Sequence, residues 1–118
     1  MKKRTRKKRM RAISIRQPYV EQILRGTKRY EYRYRPTQIR ERVYLYASLG
    51  VGDLKGFKKL KKAPGELPAG VIVGTVEIVG CKYFDSFGEY GYELKNPKRF
   101  KRNIKPKRHP QPCWFYPF

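Results

Sequence analysis

Residues 26–33 read Gly-Thr-Lys-Arg-Tyr-Glu-Tyr-Arg, which sets a carboxylate, Glu31, three positions after Lys28 and two before Arg33. Carboxylates are scarce here: the 118 residues hold nine Asp and Glu against thirty Lys and Arg, a formal net charge of +21. On an extended strand Glu31 and Arg33 share a face, and Lys28 leads into it from the preceding turn. Three kinds of chemistry are open to this trio. As an exposed ion pair it contributes only about 0–1 kcal/mol. In a cleft, the carboxylate accepts hydrogen bonds from a base's exocyclic amine or Watson–Crick edge, which lysines cannot do. In an enzyme acting on a nucleoside or RNA, Lys28 would activate a nucleophile or stabilise charge, with Glu31 or Glu77 as general base. Lys28, Glu31 and Glu77 are therefore the catalytic candidates. Glu77 lies on the strand face of Val71, Val73 and Val79 unless a bulge at Gly74 changes the phase, so either a wetted face or a cleft is open to it.

The charge points to a polyanionic partner, nucleic acid ahead of an anionic membrane surface. No apolar run approaches the roughly 20 residues of a transmembrane helix, and Arg11, Arg16 and Gln17 interrupt any signal-peptide core. The expectation is an intracellular, cytoplasmic protein whose partner is RNA or another nucleic acid and not a membrane. The opening block, residues 1–11, is a like-charge run expected to be a disordered basic arm, followed by one domain over 12–118. Lys2, Lys3, Arg4, Arg6, Lys7, Lys8 and Arg9 in the arm are candidate phosphate contacts, against a solubilising or localising tail. A second set is Lys58, Lys59, Lys61 and Lys62, against a merely solvated loop. Cys81 and Cys113 make no disulfide framework, and with the only histidine, His109, they match no zinc spacing, so neither metal nor cofactor is expected. A single histidine also argues against metal-free RNA cleavage by a histidine pair.

The elements that must position these residues follow from periodicity. Ile13 and Ile15 alternate with polar neighbours, a short strand. Pro18 suits the first turn of a helix, Val20, Ile23 and Leu24 form its apolar stripe, and Gly26 ends it in a left-handed conformation. Residues 28–35 switch to period two, with Tyr30, Tyr32 and Tyr34 opposite Arg29, Glu31, Arg33 and Arg35. The tyrosines are expected to pack inward against Ile13, Leu45 and the helix, the alternative being a row on which bases stack. Residues 42–48 read as a central strand, and 50–70 as a connection with a helical turn or two at Leu54, Phe57 and Leu60. Residues 70–84 read as the strongest strand, with a bulge or close approach at Gly74; 90–94 as another strand; 95–112 as a basic connection; and 113–118 as an aromatic closing strand. The expected class is α+β: a small, mainly antiparallel β-barrel with one or two short flanking helices.

The segment Ser14–Arg33 resembles the motif of the ASCH domain family, a branch of the PUA-like fold: Gln17, Pro18 and Tyr19 open the helix, then Gly26, Lys28, Glu31 and Arg33 follow. Residues 43–48, 70–81 and 90–100 resemble the family's later strands, so the likeness spans about residues 12–116. It implies a PUA-like barrel and a cleft beside the helix holding a nucleotide, a modified nucleoside or an RNA base, with Arg16, Gln17, Tyr19, Lys28, Glu31, Arg33 and Ser48 around it. The family's members are mostly read as RNA-binding; one branch hydrolyses acetylated cytidine, and some are reported as ribonucleases. That hydrolase branch has Thr three residues after the motif lysine, where this chain has Glu31. The reading is thus an RNA-binding module with a base-recognising cleft; the alternatives are a nucleoside- or RNA-acting hydrolase and a basic structural ribonucleoprotein component.

Overall fold

In the computed structural model, which describes residues 9–118, the alternation of Ile13 and Ile15 becomes strand β1 (Ala12–Gln17). Both isoleucines are buried and Arg16 is exposed. Helix α1 (Tyr19–Leu24) follows, with Pro18 at its N-cap, one position outside the first turn. Proline offers no side-chain acceptor there, and the buried Gln17 supplies it: its Oε1 accepts from the Glu21 amide at 3.0 Å. Val20 and Ile23 face the core, and Gly26 (φ +80°) reverses the chain after the C-cap. The chain continues into β2 (Tyr30–Arg33), β3 (Arg42–Val51), α2 (Leu54–Lys59), β4 (Val71–Phe84), β5 (Glu89–Ile104) and β6 (Trp114–Phe115).

These strands form one curled, half-barrel sheet in the order β2-β5-β4-β3-β1-β6. It is mainly antiparallel, as expected, but not strictly so: four of its five pairings are antiparallel, while β1 pairs β3 in parallel, Ile13 opposite Leu45 and Arg16 opposite Ser48. Parallel neighbours need a crossover of a dozen residues or more, and the excursion through α1 and β2 provides one. Val43, Leu45 and Ala47 of β3 join Ile13, Ile15, Ile23, Val76 and Ile78 in the main core. A smaller cluster on the other face holds Tyr46 and Phe115, edge to face at 5.3 Å.

Two further expectations change. Residues 95–104 are not a connection: β5 runs through them, antiparallel to β4. Its Pro97 falls where the register shifts, since Glu77 opposes Lys95 while Thr75 opposes Lys98, and a bulge is where a strand tolerates proline. Gly74 also lies at a shift, and a Cβ there would collide with the Lys98 carbonyl oxygen, so the close approach read from sequence is present. The tyrosine row points outward. Tyr30 and Tyr32 pack on Phe84 at 5.3 and 5.5 Å, and Tyr34 is 83% exposed. β2 is an edge strand of an open sheet, so its inner face borders a cleft and carries Glu31 and Arg33 instead.

Candidate functional site

Beside α1, the open side of the half-barrel leaves a cavity of about 530 Å³. β2 gives it Glu31 and Arg33; β1 gives Ser14 and Arg16; α1 gives Tyr19; β3 gives Tyr46, Ser48, Leu49 and Gly50; residues 110–113 complete the wall. That last segment is hung on β1: Ser14 Oγ donates to the Gln111 carbonyl at 2.7 Å, and the Ser14 amide donates to the Cys113 carbonyl at 2.8 Å. Tyr19 is held at the other rim, its hydroxyl accepting from the Asp53 amide at 3.1 Å.

Glu31 is 7% exposed. Arg33 donates to its Oε2 from Nε at 2.9 Å, and the same guanidinium donates through Nη2 to the Ser14 carbonyl at 2.8 Å. Arg33 thereby ties edge strand β2 to β1 across the gap that the sheet leaves open. On the other side Lys28 Nζ stands 3.7 Å from Glu31 Oε1, beyond hydrogen-bond length. The same ammonium lies 4.8 Å from the Tyr32 ring centre and 5.3 Å from that of Tyr19. Burial holds the Lys28 pKa below the usual lysine value, and the Glu31 charge offsets this only in part. The result is a carboxylate clamped between two cations, with arginine donors, serine hydroxyls and tyrosine rings around the cavity. Such a set can accept hydrogen bonds at the carboxylate and donate them from the guanidinium groups.

Of the residues expected at the cleft, Arg16, Tyr19, Glu31, Arg33 and Ser48 line this cavity. Lys28 does not; it opens on a neighbouring hollow and reaches the cleft only through Glu31. Gln17 also departs from its expected place: it is buried, and its amide clips the Glu21 amide and, through Nε2, the Pro68 carbonyl at 3.1 Å. Glu77 is remote from the trio, accepting from Arg42 Nη2 at 2.9 Å with Thr75 and Asn96 beside that guanidinium. His109 is exposed in a hollow with Arg9 and Arg108; it does not line the cleft, although the adjacent Pro110 does and Gln111 lines both.

The lysines of the 55–62 stretch are exposed; Lys58 and Lys59 belong to α2, Lys61 and Lys62 follow it, and Lys59 lines the hollow shared with Lys28. Arg9 is held to the C-terminal segment, donating to the Phe118 carbonyl at 3.0 Å and lying 4.4 Å over the Tyr116 ring. The expectations for Lys2, Lys3, Arg4, Arg6, Lys7 and Lys8 lie outside the described residues. Both cysteines are free thiols, and among the described residues no group of His, Cys, Asp and Glu could hold a metal ion. No helix among them is long and apolar enough to cross a membrane.

Sequence reading missed Ser14, Tyr46 and residues 110–113. Ser14 was legible, since it shares the polar face of β1 with Arg16. Tyr46 was not, because in a strand apolar on both faces nothing marks which side borders a cavity. The buried Glu21 was also missed: it takes Arg99 by both oxygens at 2.8 Å and Arg25 Nε at 2.7 Å, pinning α1 to β5.

Residues 13–114 match the family model of the ASCH domain. No curated protein matches the chain. Among solved structures it is similar to the crystal structure of ASCH from Zymomonas mobilis, with a TM-score of 0.62 and 12% identity over 92% of this chain and 87% of that one. At that identity the likeness speaks for the fold. The family match runs from β1 to the first residue of β6 and takes in every residue of the Gly-Thr-Lys-Arg-Tyr-Glu-Tyr-Arg segment, so the chain belongs to the ASCH domain family, with its PUA-like fold.

Proposed function

We propose that this ASCH domain is an RNA-binding module whose basic surface holds phosphates while the cleft reads one base or nucleotide. The observation that carries this reading is the buried Glu31 carboxylate at a 530 Å³ cavity, in a chain of net charge +21. A surface serving only to attract polyanions gains nothing from a buried acid. An acid that accepts from a base's exocyclic amine adds selectivity that lysines do not supply.

A second reading, hydrolysis of a nucleoside or RNA, is favoured by one observation: burial lowers the Lys28 pKa, as proton-transfer chemistry requires. Against it, neither Lys28 nor His109 is on the cavity wall, and Glu77 lies elsewhere. Glu31→Gln tests both. Under the binding reading bulk RNA affinity stays nearly intact, while discrimination among nucleotides falls by about 1–3 kcal/mol for one lost paired contact. Under the catalytic reading turnover of acylated nucleosides or RNA disappears while ligand still binds. If affinity for every polyanion rises alike, Glu31 only offsets its neighbours and the base-reading proposal fails.

A further inference from the structure

The hollow on the other side of Tyr19 has no part in the reading above. It measures about 540 Å³ and is walled chiefly by Tyr19, Lys28, Arg29, Tyr30, Tyr32 and Lys59. Tyr19 lines both this hollow and the cleft, so its ring divides one from the other. Lys28 joins them electrostatically, since it lines the hollow and stands 3.7 Å from the cleft's Glu31.

The aromatic wall is the outward face of β2. Tyr30 and Tyr32 lie 6.2 Å apart with 24° between their planes. The row continues to Phe87, 5.0 Å from Tyr32 and half exposed, and ends at the exposed Tyr34. Tyr30 packs on Phe84 and Tyr32 on Phe84 and Phe87 at the β4–β5 hairpin turn, and none of the rings in the row belongs to either buried cluster. Among the described residues three cations edge the hollow and no acid lines it. Rings flanked by cations suit a single-stranded nucleic acid, since every base offers a π-face and every nucleotide a phosphate.

Resting on the reading of the cleft as a nucleotide site, we infer that this hollow takes the nucleotide next to the one in the cleft. The unit bound is then a step of single-stranded RNA, at least two nucleotides long, that bends around Tyr19. One base enters beside Glu31 and Arg33; its neighbour stacks on the Tyr30–Tyr32 face with its phosphate near Arg29 and Lys59.

The full chain is titrated with the four ribonucleoside monophosphates, the sixteen 5′-phosphorylated ribodinucleotides, and dinucleotides whose second residue is abasic. The abasic probes keep the phosphates and remove only the second base. The best dinucleotide is expected to bind on the order of tenfold more tightly than its abasic counterpart, as one stacked base implies. Tyr30→Leu and Lys59→Ala are each expected to weaken dinucleotide binding severalfold while leaving monophosphate binding unchanged. Lys59 is exposed on α2, so its variant stays informative should Tyr30→Leu melt early. Equal affinity for dinucleotide and abasic probe overturns the inference and leaves the cleft reading standing. Unchanged base discrimination in Glu31→Gln overturns both. If Tyr30→Leu instead turns a self-associated protein into a monomer without touching nucleotide affinity, the row joins copies of the chain and the inference is overturned.

Discussion

Glu31 is kept in place by cations of unequal character. Arg33 holds it by charge-assisted hydrogen bonds and is always protonated. Lys28 is a partly buried ammonium at a longer distance, and its proton is the more easily lost. This has a consequence for stability against pH. The unfolded chain keeps the Lys28 proton up to the ordinary lysine value of 10.5, while the folded chain releases it at lower pH. Between those two points the unfolded state binds more protons, so this residue adds stability as pH rises. Lys28→Met lacks that gain. Urea unfolding at pH 8 and at pH 10 is expected to show wild type improving relative to Lys28→Met at the higher pH; a gap independent of pH would mean that Lys28 is not desolvated.

The elements carrying these residues are short and borrow their order from neighbours. Helix α1 has six residues, below the about 12–15 at which isolated helices become even marginal. Its hold on the sheet comes from Val20 and Ile23 and from Glu21, which takes Arg99 of β5 by two 2.8 Å bonds. Burial works to raise the Glu21 pKa, but the hydrogen bonds and charges of Arg99 and Arg25 outweigh it and the pKa is lowered. A carboxylate of this kind stabilises above its unfolded pKa, and the contribution is lost as pH falls through the folded value. Glu21→Gln is expected to cost about 1–3 kcal/mol near pH 7, below the range for fully buried pairs because Arg99 is half exposed. Chemical denaturation should show that deficit closing in strong acid; a constant deficit would point to packing alone. Gly74→Ala acts on the bulge of β4, where its Cβ meets backbone that cannot swing aside, and is expected to cost about 1–3 kcal/mol in the same measurement.

At the scale of the molecule, an open half-barrel leaves edges at β2 and β6, and side chains close what the ladder does not. Arg33 links β2 to β1, Arg9 donates to the Phe118 carbonyl at the end of the chain, and Arg11 pairs at 3.2 Å with Glu41, next to β3. The boundary matters for a truncation experiment. Removing residues 1–8 deletes six basic residues and none of these contacts. If all six meet phosphate on single-stranded RNA, the slope of log affinity against log salt becomes shallower by about 4, with an unchanged melting temperature. Removing residues 1–11 is expected to lower the melting temperature as well. A salt slope that survives the shorter truncation would show that the arm does not touch phosphate.

Much of this was legible in one dimension. The net charge, the alternation around Ile13 and Ile15, the Val20/Ile23 stripe, the glycine stop at Gly26 and the Gly74 bulge depend on local sterics and pattern, which neighbours in sequence settle. So does the spacing that put Glu31 and Arg33 on one face, and its likeness to the ASCH motif. What that spacing left open was which face turned inward, because period two divides a strand into two sides without saying where the core lies. Tyrosines outnumber acids in the β2 segment, so burial favoured the wrong side. The place of β2 at the edge of an open sheet, decided by the parallel β1–β3 pairing and the length of β5, turned Glu31 inward and the rings outward. Gln17 became a clip between α1 and the loop at Pro68, and Glu77 a partner of Arg42, because Pro68 and Arg42 are far from them in sequence and only the assembled fold brings them near.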